Sequence, residues 1–354
     1  MTPDGVVRVG VVGVGNFGRL HAEVLAALPG VRLAAVCDVD PQRARQVAGA
    51  LGGVAAFDSF DACLREADLD AVVLATPEDQ HARQAVAALE REWDVLVEKP
   101  LALDLPEALA VQEAAGRTGR VAMVGTILRF SLPHRRLAEA VLAGGLGRVL
   151  HVRSARYVSA DWFGRIGVHP ALRATIHDVD LLLWLTGQRV TRVAAAGHVL
   201  PGEEWPRSLC GLLWLADGAT AVVESHFLLP PSYPANTLPP ERPGTRVGAV
   251  EVIGEAGIAR LDDGGGLSIW SHEGPYAPDL FVVPRVGGHV VGALRAELEH
   301  FVGCVASRTP SALAPLADSV HGVGVAAAIV RAMESGAITG VEDHVDEHGT
   351  RARS

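Results

Sequence analysis

The sequence predicts an α/β plus α+β protein, in which a doubly wound parallel sheet is followed by a second domain built on an antiparallel sheet. Three observations carry this. Up to about residue 125, short Val/Ala/Leu runs alternate with stretches of helical period, the pattern of strand-helix units around a parallel sheet. Beyond that point the pattern changes, and residues 208–226 read as two apolar-rich arms around Asp217-Gly218, a hairpin signal. At 354 residues the chain also exceeds one usual domain core.

Strands are expected at 6–12, 31–37, 71–75, 95–97 and 121–124, each short, continuously apolar and bounded by Gly, Pro or Asp. Helices are expected between them at 41–51, 79–91 and 105–117, and right-handed crossovers put these on both faces of the sheet. In the second half helices are expected at 132–143, 176–185, 291–307 and 315–334. Six prolines between Pro230 and Pro243 exclude a helix or central strand there and predict an exposed loop. The resulting division is 1–125, 126–340 and a polar tail at 341–354.

Composition narrows the function. Apolar residues make up 49% and charged residues 20%, an ordinary globular balance. Lys plus Arg is 31 against 41 for Asp plus Glu, a net charge of −10, which gives no general attraction for nucleic acid or anionic lipid. Mean hydropathy is +0.24, yet no apolar run approaches the roughly 20 residues that span a bilayer. The start of the chain runs straight into a strand pattern without a leader, so a cytoplasmic setting is expected. Cys37, Cys63, Cys210 and Cys304 are widely spaced, and are expected to be small buried hydrophobes rather than disulfides or a zinc site.

The first strand runs directly into Gly13-x-Gly15-x-x-Gly18 and then a helical pattern. That context asks one glycine for the tight turn, one for close approach of a pyrophosphate and one for helix-strand packing. About 20 residues later Asp38 ends the second strand, where a carboxylate can accept hydrogen bonds from an adenosine ribose. It would repel a ribose phosphate, so NAD is expected over NADP.

Further motifs lie downstream: Thr76-Pro77-x-x-x-His81, Glu98-Lys99-Pro100, and His177-Asp178-x-Asp180-x-x-x-Trp184-Leu185-x-Gly187. With the Gly-rich turn they resemble the glucose-fructose oxidoreductase / inositol dehydrogenase / MocA family of NAD(P)-dependent oxidoreductases, over about residues 6–340. The resemblance implies an amino-terminal Rossmann domain, then an α+β domain on an open antiparallel sheet whose outer face makes a homodimer or homotetramer. It implies cofactor contacts from Gly13, Gly15, Asn16, Phe17, Gly18, Asp38, Thr76, Pro77, His81, Glu98 and Lys99, and a sugar, inositol or related polyol substrate between the domains.

Alcohol oxidation by hydride transfer needs a group that removes the hydroxyl proton. Lys99 suits the reacting oxygen, because an ammonium stabilises a developing alkoxide, and His177 can exchange a proton near neutral pH. Asp180 shares a helix face with His177 and either orients it or binds substrate; Asp178 suits the helix dipole. The resemblance breaks at Arg173, where the family has an aspartate four residues before the histidine. Arg173 either offers a fork to an anionic substrate group or turns away to solvent or an ion pair. Arg129 is expected near the nicotinamide or as an inter-domain residue, and Trp162 and Phe163 as a sugar wall or core. No histidine spacing suggests a metal. The expected activity is NAD-dependent hydride transfer at a ring hydroxyl or ketone of a sugar, inositol, sugar acid or related polyol. The alternatives are a redox-elimination enzyme of glycosidase type and a non-catalytic dinucleotide sensor.

Overall fold

A computed structural model describes residues 5–163, 167–230, 246–262, 269–271, 274–276 and 282–342. The first half is β1 (Val7–Val12), α1 (Asn16–Ala27), β2 (Val31–Cys37), α2 (Pro41–Ala50), β3 (Ala55–Phe57), α3 (Phe60–Glu66), β4 (Ala71–Leu74), α4 (His81–Glu90), β5 (Asp94–Glu98), α5 (Leu105–Thr118) and β6 (Ala122–Gly125). Its six strands pair in parallel in the order β3-β2-β1-β4-β5-β6. The order reverses between β1 and β4, so the loops leaving these two strands diverge and open a crevice at their carboxyl ends. Strands β1, β4 and β5 are almost wholly buried, as continuous Val/Leu/Ala runs in a two-sided parallel sheet must be.

Local chemistry sets the helix ends. Asp40 caps α2 by accepting from the Gln42 and Arg43 backbone N–H groups, with Pro41 in the first turn. Asp104 does the same for α5, which ends on Gly119 at φ +65°. β3 and α3 were not expected, since three residues and seven residues are too short for a periodic signal.

The second half is α6 (Leu132–Leu142), β7 (Val149–Ser159), α7 (Ala160–Phe163), α8 (Ile176–Thr186), β8 (Val190–His198), β9 (Ser208–Leu215), β10 (Thr220–Leu229), β11 (Arg246–Gly254), β12 (Gly257–Asp262), α9 (Ala293–Ser307) and α10 (Leu316–Ser335). Together with the short strand Thr339–Gly340 these strands form a seven-stranded sheet, ordered β12-β11-β7-β10-β9-β8 and then 339–340. β9 and β10 form the expected hairpin. The sheet is mixed rather than purely antiparallel, because β7 and β10 pair in parallel. The chain between them holds α8, β8 and β9, long enough for the crossover that a parallel pair needs.

α10 is 20 residues and apolar enough by composition to cross a membrane, but it is mostly buried as a core helix. The expectation of four buried cysteines is corrected at one of them. Cys210 is exposed, whereas Cys37, Cys63 and Cys304 are buried; Cys210 falls on the outward phase of β9, between the buried Leu209 and Gly211. Residues 231–245 of the proline-rich stretch and 343–354 of the tail lie outside the described residues.

Candidate active site

A cleft of about 590 Å³ runs from the Gly-rich turn to the start of α8. The cofactor end follows from backbone constraints. Gly13 sits at φ +81°, and a Cβ there would lie 2.5 Å from the Ala75 carbonyl oxygen. At Gly18 a Cβ would lie 1.7 Å from the Gly13 oxygen, so only glycine lets α1 close onto β1. A Cβ on Gly15, by contrast, would meet nothing within 4 Å, and Gly15 lines the cleft. The middle glycine thus keeps the backbone bare on the cleft side, which is what a pyrophosphate requires. The α1 amino terminus lies at the same place.

Asp38 is buried and faces this turn. Its Oδ2 accepts the Val14 N–H at 3.0 Å, and its Oδ1 accepts the Asp40 N–H at 2.9 Å and Arg43 Nη1 at 3.1 Å. Asn16, Phe17, Thr76, Pro77, His81 and Glu98 all line the cleft, whereas Gly18 packs behind it. His81 is buried with its two ring nitrogens on the carbonyl oxygens of Pro100 (2.7 Å) and Thr76 (2.9 Å), so it ties together the loops after β4 and β5. Glu98 accepts from the buried His21 at 2.8 Å; burial opposes its charge, but His21 and Lys99 hold its carboxyl below the usual value.

Lys99 and His177 both line the far end of the cleft. Lys99 Nζ donates to the Arg173 carbonyl at 3.2 Å, across 74 residues of sequence. Arg173 lies in a wide π-type turn, Ala171–Thr175, that leads into α8 and puts His177 in that helix's first turn. Arg173 lines the cleft, and its guanidinium forms an ion pair with Glu78, from the turn after Pro77. Of the two readings of Arg173, the ion pair is the one formed, at a residue that lines the cleft. Trp162 lines the same end with Val158 and Phe227, while Phe163 is buried against Phe227 at 5.5 Å between ring centroids.

Arg129 and Asp180 are placed elsewhere. Arg129 is 1% exposed and does not line the cleft; it donates to Asp180 at 2.8–3.0 Å, to Asp318 at 3.0 Å and to the Leu313 carbonyl at 2.8 Å. Burial works against its charge, but the two carboxylates outweigh this and raise its pKa. It is an inter-element ion pair, not a nicotinamide contact. Asp180 borders a small separate cavity of about 20 Å³ with Lys99, His177 and Asp318, behind the cleft. Asp178 is buried in a fork with Arg156, which itself lines the cleft.

Three residues that line the cleft carried no sequence signal or a weak one: Arg43, Glu78 and Arg156. Glu78 stands beside Thr76-Pro77, and only that adjacency could have flagged it. Glu297 on α9 is 0% exposed with neither carboxylate oxygen hydrogen-bonded among the described residues. Burial, then the charges of Glu98 and Asp180, push its carboxyl well above the ordinary value. Among the described residues, no three His, Cys, Asp or Glu side chains gather as a metal site.

Residues 7–126 match the family description "Oxidoreductase family, NAD-binding Rossmann fold" (GFO_IDH_MocA), and residues 134–260 match "GFO/IDH/MocA C-terminal domain". The chain belongs to the GFO/IDH/MocA family. Its parallel six-stranded sheet is that family's NAD-binding Rossmann domain. Among relatives, an inositol 2-dehydrogenase of Rubrobacter xylanophilus is 36% identical over 200 residues, 54% of this chain and 55% of the relative. An inositol 2-dehydrogenase of Leifsonia xyli is 30% identical over 275 residues, covering 76% of both chains. The match thus takes in about half the length of the Rubrobacter relative. A scyllo-inositol dehydrogenase of Lactobacillus casei with bound NAD(H) and scyllo-inositol shares the fold, with a TM-score of 0.80 at 22% identity over 95% of this chain and 99% of that one.

Proposed function

We propose that the chain is an NAD-dependent oxidoreductase that moves a hydride between nicotinamide and a ring hydroxyl or ketone of a polyol of the inositol, sugar or sugar-acid kind. The observation that carries this reading is one continuous cleft with the Gly-rich turn and Asp38 at one end and Lys99 and His177 at the other. The inositol dehydrogenase names of its relatives, and the NAD(H) and scyllo-inositol in the Lactobacillus casei structure, support it. They favour it over redox elimination or a non-catalytic sensor.

The bare backbone at Gly15 takes the pyrophosphate and Asp38 the adenosine ribose hydroxyls. Arg43 is already matched by Asp38 and Asp40, so it offers no spare charge to a ribose phosphate and the preference is for NAD. NAD, when bound, supplies the hydride acceptor or donor. Lys99, anchored on the Arg173 carbonyl, grips the reacting oxygen and stabilises the alkoxide charge that develops as the proton leaves. His177 receives that proton in oxidation and returns it in reduction. Trp162, Val158 and Phe227 give an apolar wall for the C–H face of a ring.

The reading includes a homodimer or homotetramer through the outer face of the seven-stranded sheet, in the cytoplasm. In support, the phase of β9 and β10 opposite the buried one carries Leu212, Trp214 and Val222, all partly exposed. Light scattering of the purified chain tests the assembly. The activity is tested by following absorbance of reduced nicotinamide with panels of inositols, sugars and sugar acids, with NAD and NADP. Reduction of NAD by at least one ring polyol is expected; a chain that binds NAD yet reduces it with none would sink the proposal.

A further inference from the structure

The charges at the substrate end differ from those of the rest of the molecule. The chain carries −10 overall, but Lys99, Arg156 and Arg173 all line this end, and the carboxylates lining it are Glu78 and Glu98. Glu98 is already engaged by His21. Arg156 is buried and oriented by Asp178, which accepts from its Nε at 3.1 Å and its Nη2 at 3.0 Å; Asp178 also accepts from Ser154 Oγ at 2.6 Å. Arg156 is therefore fixed in place by packing and a rigid fork, its charge matched by Asp178.

Arg173 is used differently. Glu78 takes only its Nη1, and Nε and Nη2 have no partner among the described residues. About a quarter of the side chain is exposed, at 24%. Nε and Nη2 form the two-donor edge that Arg156 presents to Asp178, an edge whose spacing matches the two oxygens of one carboxylate. Glu78 holds the opposite side, and the Arg173 backbone is fixed by Lys99, so this open edge and the catalytic ammonium belong to one small framework.

We propose that the open Nε–Nη2 edge of Arg173, held in place by Glu78, receives a carboxylate on the substrate, so that the polyol oxidised or reduced here is a sugar acid or a related ring hydroxy acid. This rests on the reading of the cleft as a polyol oxidoreductase site and narrows it to one substrate class. Arg173 is then the specificity-determining residue. Arg156, matched by Asp178, adds no net charge, and Glu78 holds the Arg173 guanidinium in place.

The test uses the full chain with NAD and matched pairs that differ only in the acid group, such as glucose with glucuronate and galactose with galacturonate. The acid of at least one pair is expected to have the larger kcat/KM, by roughly tenfold to a hundredfold, the usual value of a hydrogen bond to an ionised partner. In Arg173→Gln that acid-over-neutral ratio should collapse by at least about tenfold, mainly through KM for the acid, and Arg173→Lys should restore part of it. Neutral polyols preferred over their acids, a ratio unmoved in Arg173→Gln, or turnover confined to phosphorylated sugars would each overturn the proposal, and in all three the oxidoreductase reading survives. If no substrate turns over, that reading fails. Calorimetry of glucuronate and galacturonate with the NADH-loaded chain then decides this proposal by itself: binding lost in Arg173→Gln supports it, and no binding overturns it.

Discussion

The two ends of the cleft are built in opposite ways. The cofactor end is local: Gly13, Gly15, Gly18 and Asp38 lie within 26 residues, and backbone geometry dictates Gly13 and Gly18. The substrate end is assembled from β5, β7, the π-type turn, α8 and β10, and its key contacts join residues far apart, such as Lys99 to Arg173 and Arg173 to Glu78. A site made of backbone can be specified by a short motif. One made of side chains on separate elements is specified only once those elements pack, and so it can change substrate without disturbing the cofactor.

That contrast can be broken at several points. The largest effect is expected from Lys99→Ala and His177→Ala, where turnover should fall by about 10²- to 10⁴-fold, the usual share of a positioned acid-base group, with NAD affinity kept. Loss of NAD binding in either variant would show that the two ends are not separable. Next is Arg129→Met, which strands Asp180 and Asp318. Removing one partner of a buried ion pair costs about 3–5 kcal/mol, so denaturant unfolding should shift strongly while NAD affinity of the folded chain changes little. Asp38→Ala should weaken NAD by roughly tenfold to a hundredfold and relax discrimination against NADP, read by titrating both cofactors; unchanged preference removes its role.

The smallest effect concerns pH. His169 accepts the Ala171 N–H through Nδ1 at 3.1 Å, and burial depresses its pKa from 6.5 to about 4. In the unfolded chain it takes up a proton below about 6.5, while the folded form resists until about 4. Its neutral form therefore favours folding above 6.5, and that contribution is lost as pH falls from 6.5 toward 4. His169→Asn should flatten the drop in melting temperature over that window, and an unchanged slope would assign the drop to other groups.

Much of the fold was legible in the sequence, for stated reasons. The five strands expected in the first half all form, because a two-sided parallel sheet leaves continuous apolar runs, and the Asp217-Gly218 hairpin forms because turn chemistry is local. Less visible were the pairing of β7 with β10 and the ion pair that draws Arg129 into the core. Both depend on which elements become neighbours, and residue spacing carries no trace of that. Asp180 shows the same limit: its helical phase with His177 was readable, but its partner lay 51 residues away.

By itself, then, the sequence determined the Gly-rich end of the cleft: a strand, three glycines and a carboxylate that a strand-turn-helix spacing places together. Only the tertiary structure decided what Arg173 is. The same guanidinium could have faced solvent, and it pairs with Glu78 because α8 begins in a wide turn opposite that residue, a juxtaposition across 95 residues that packing alone creates.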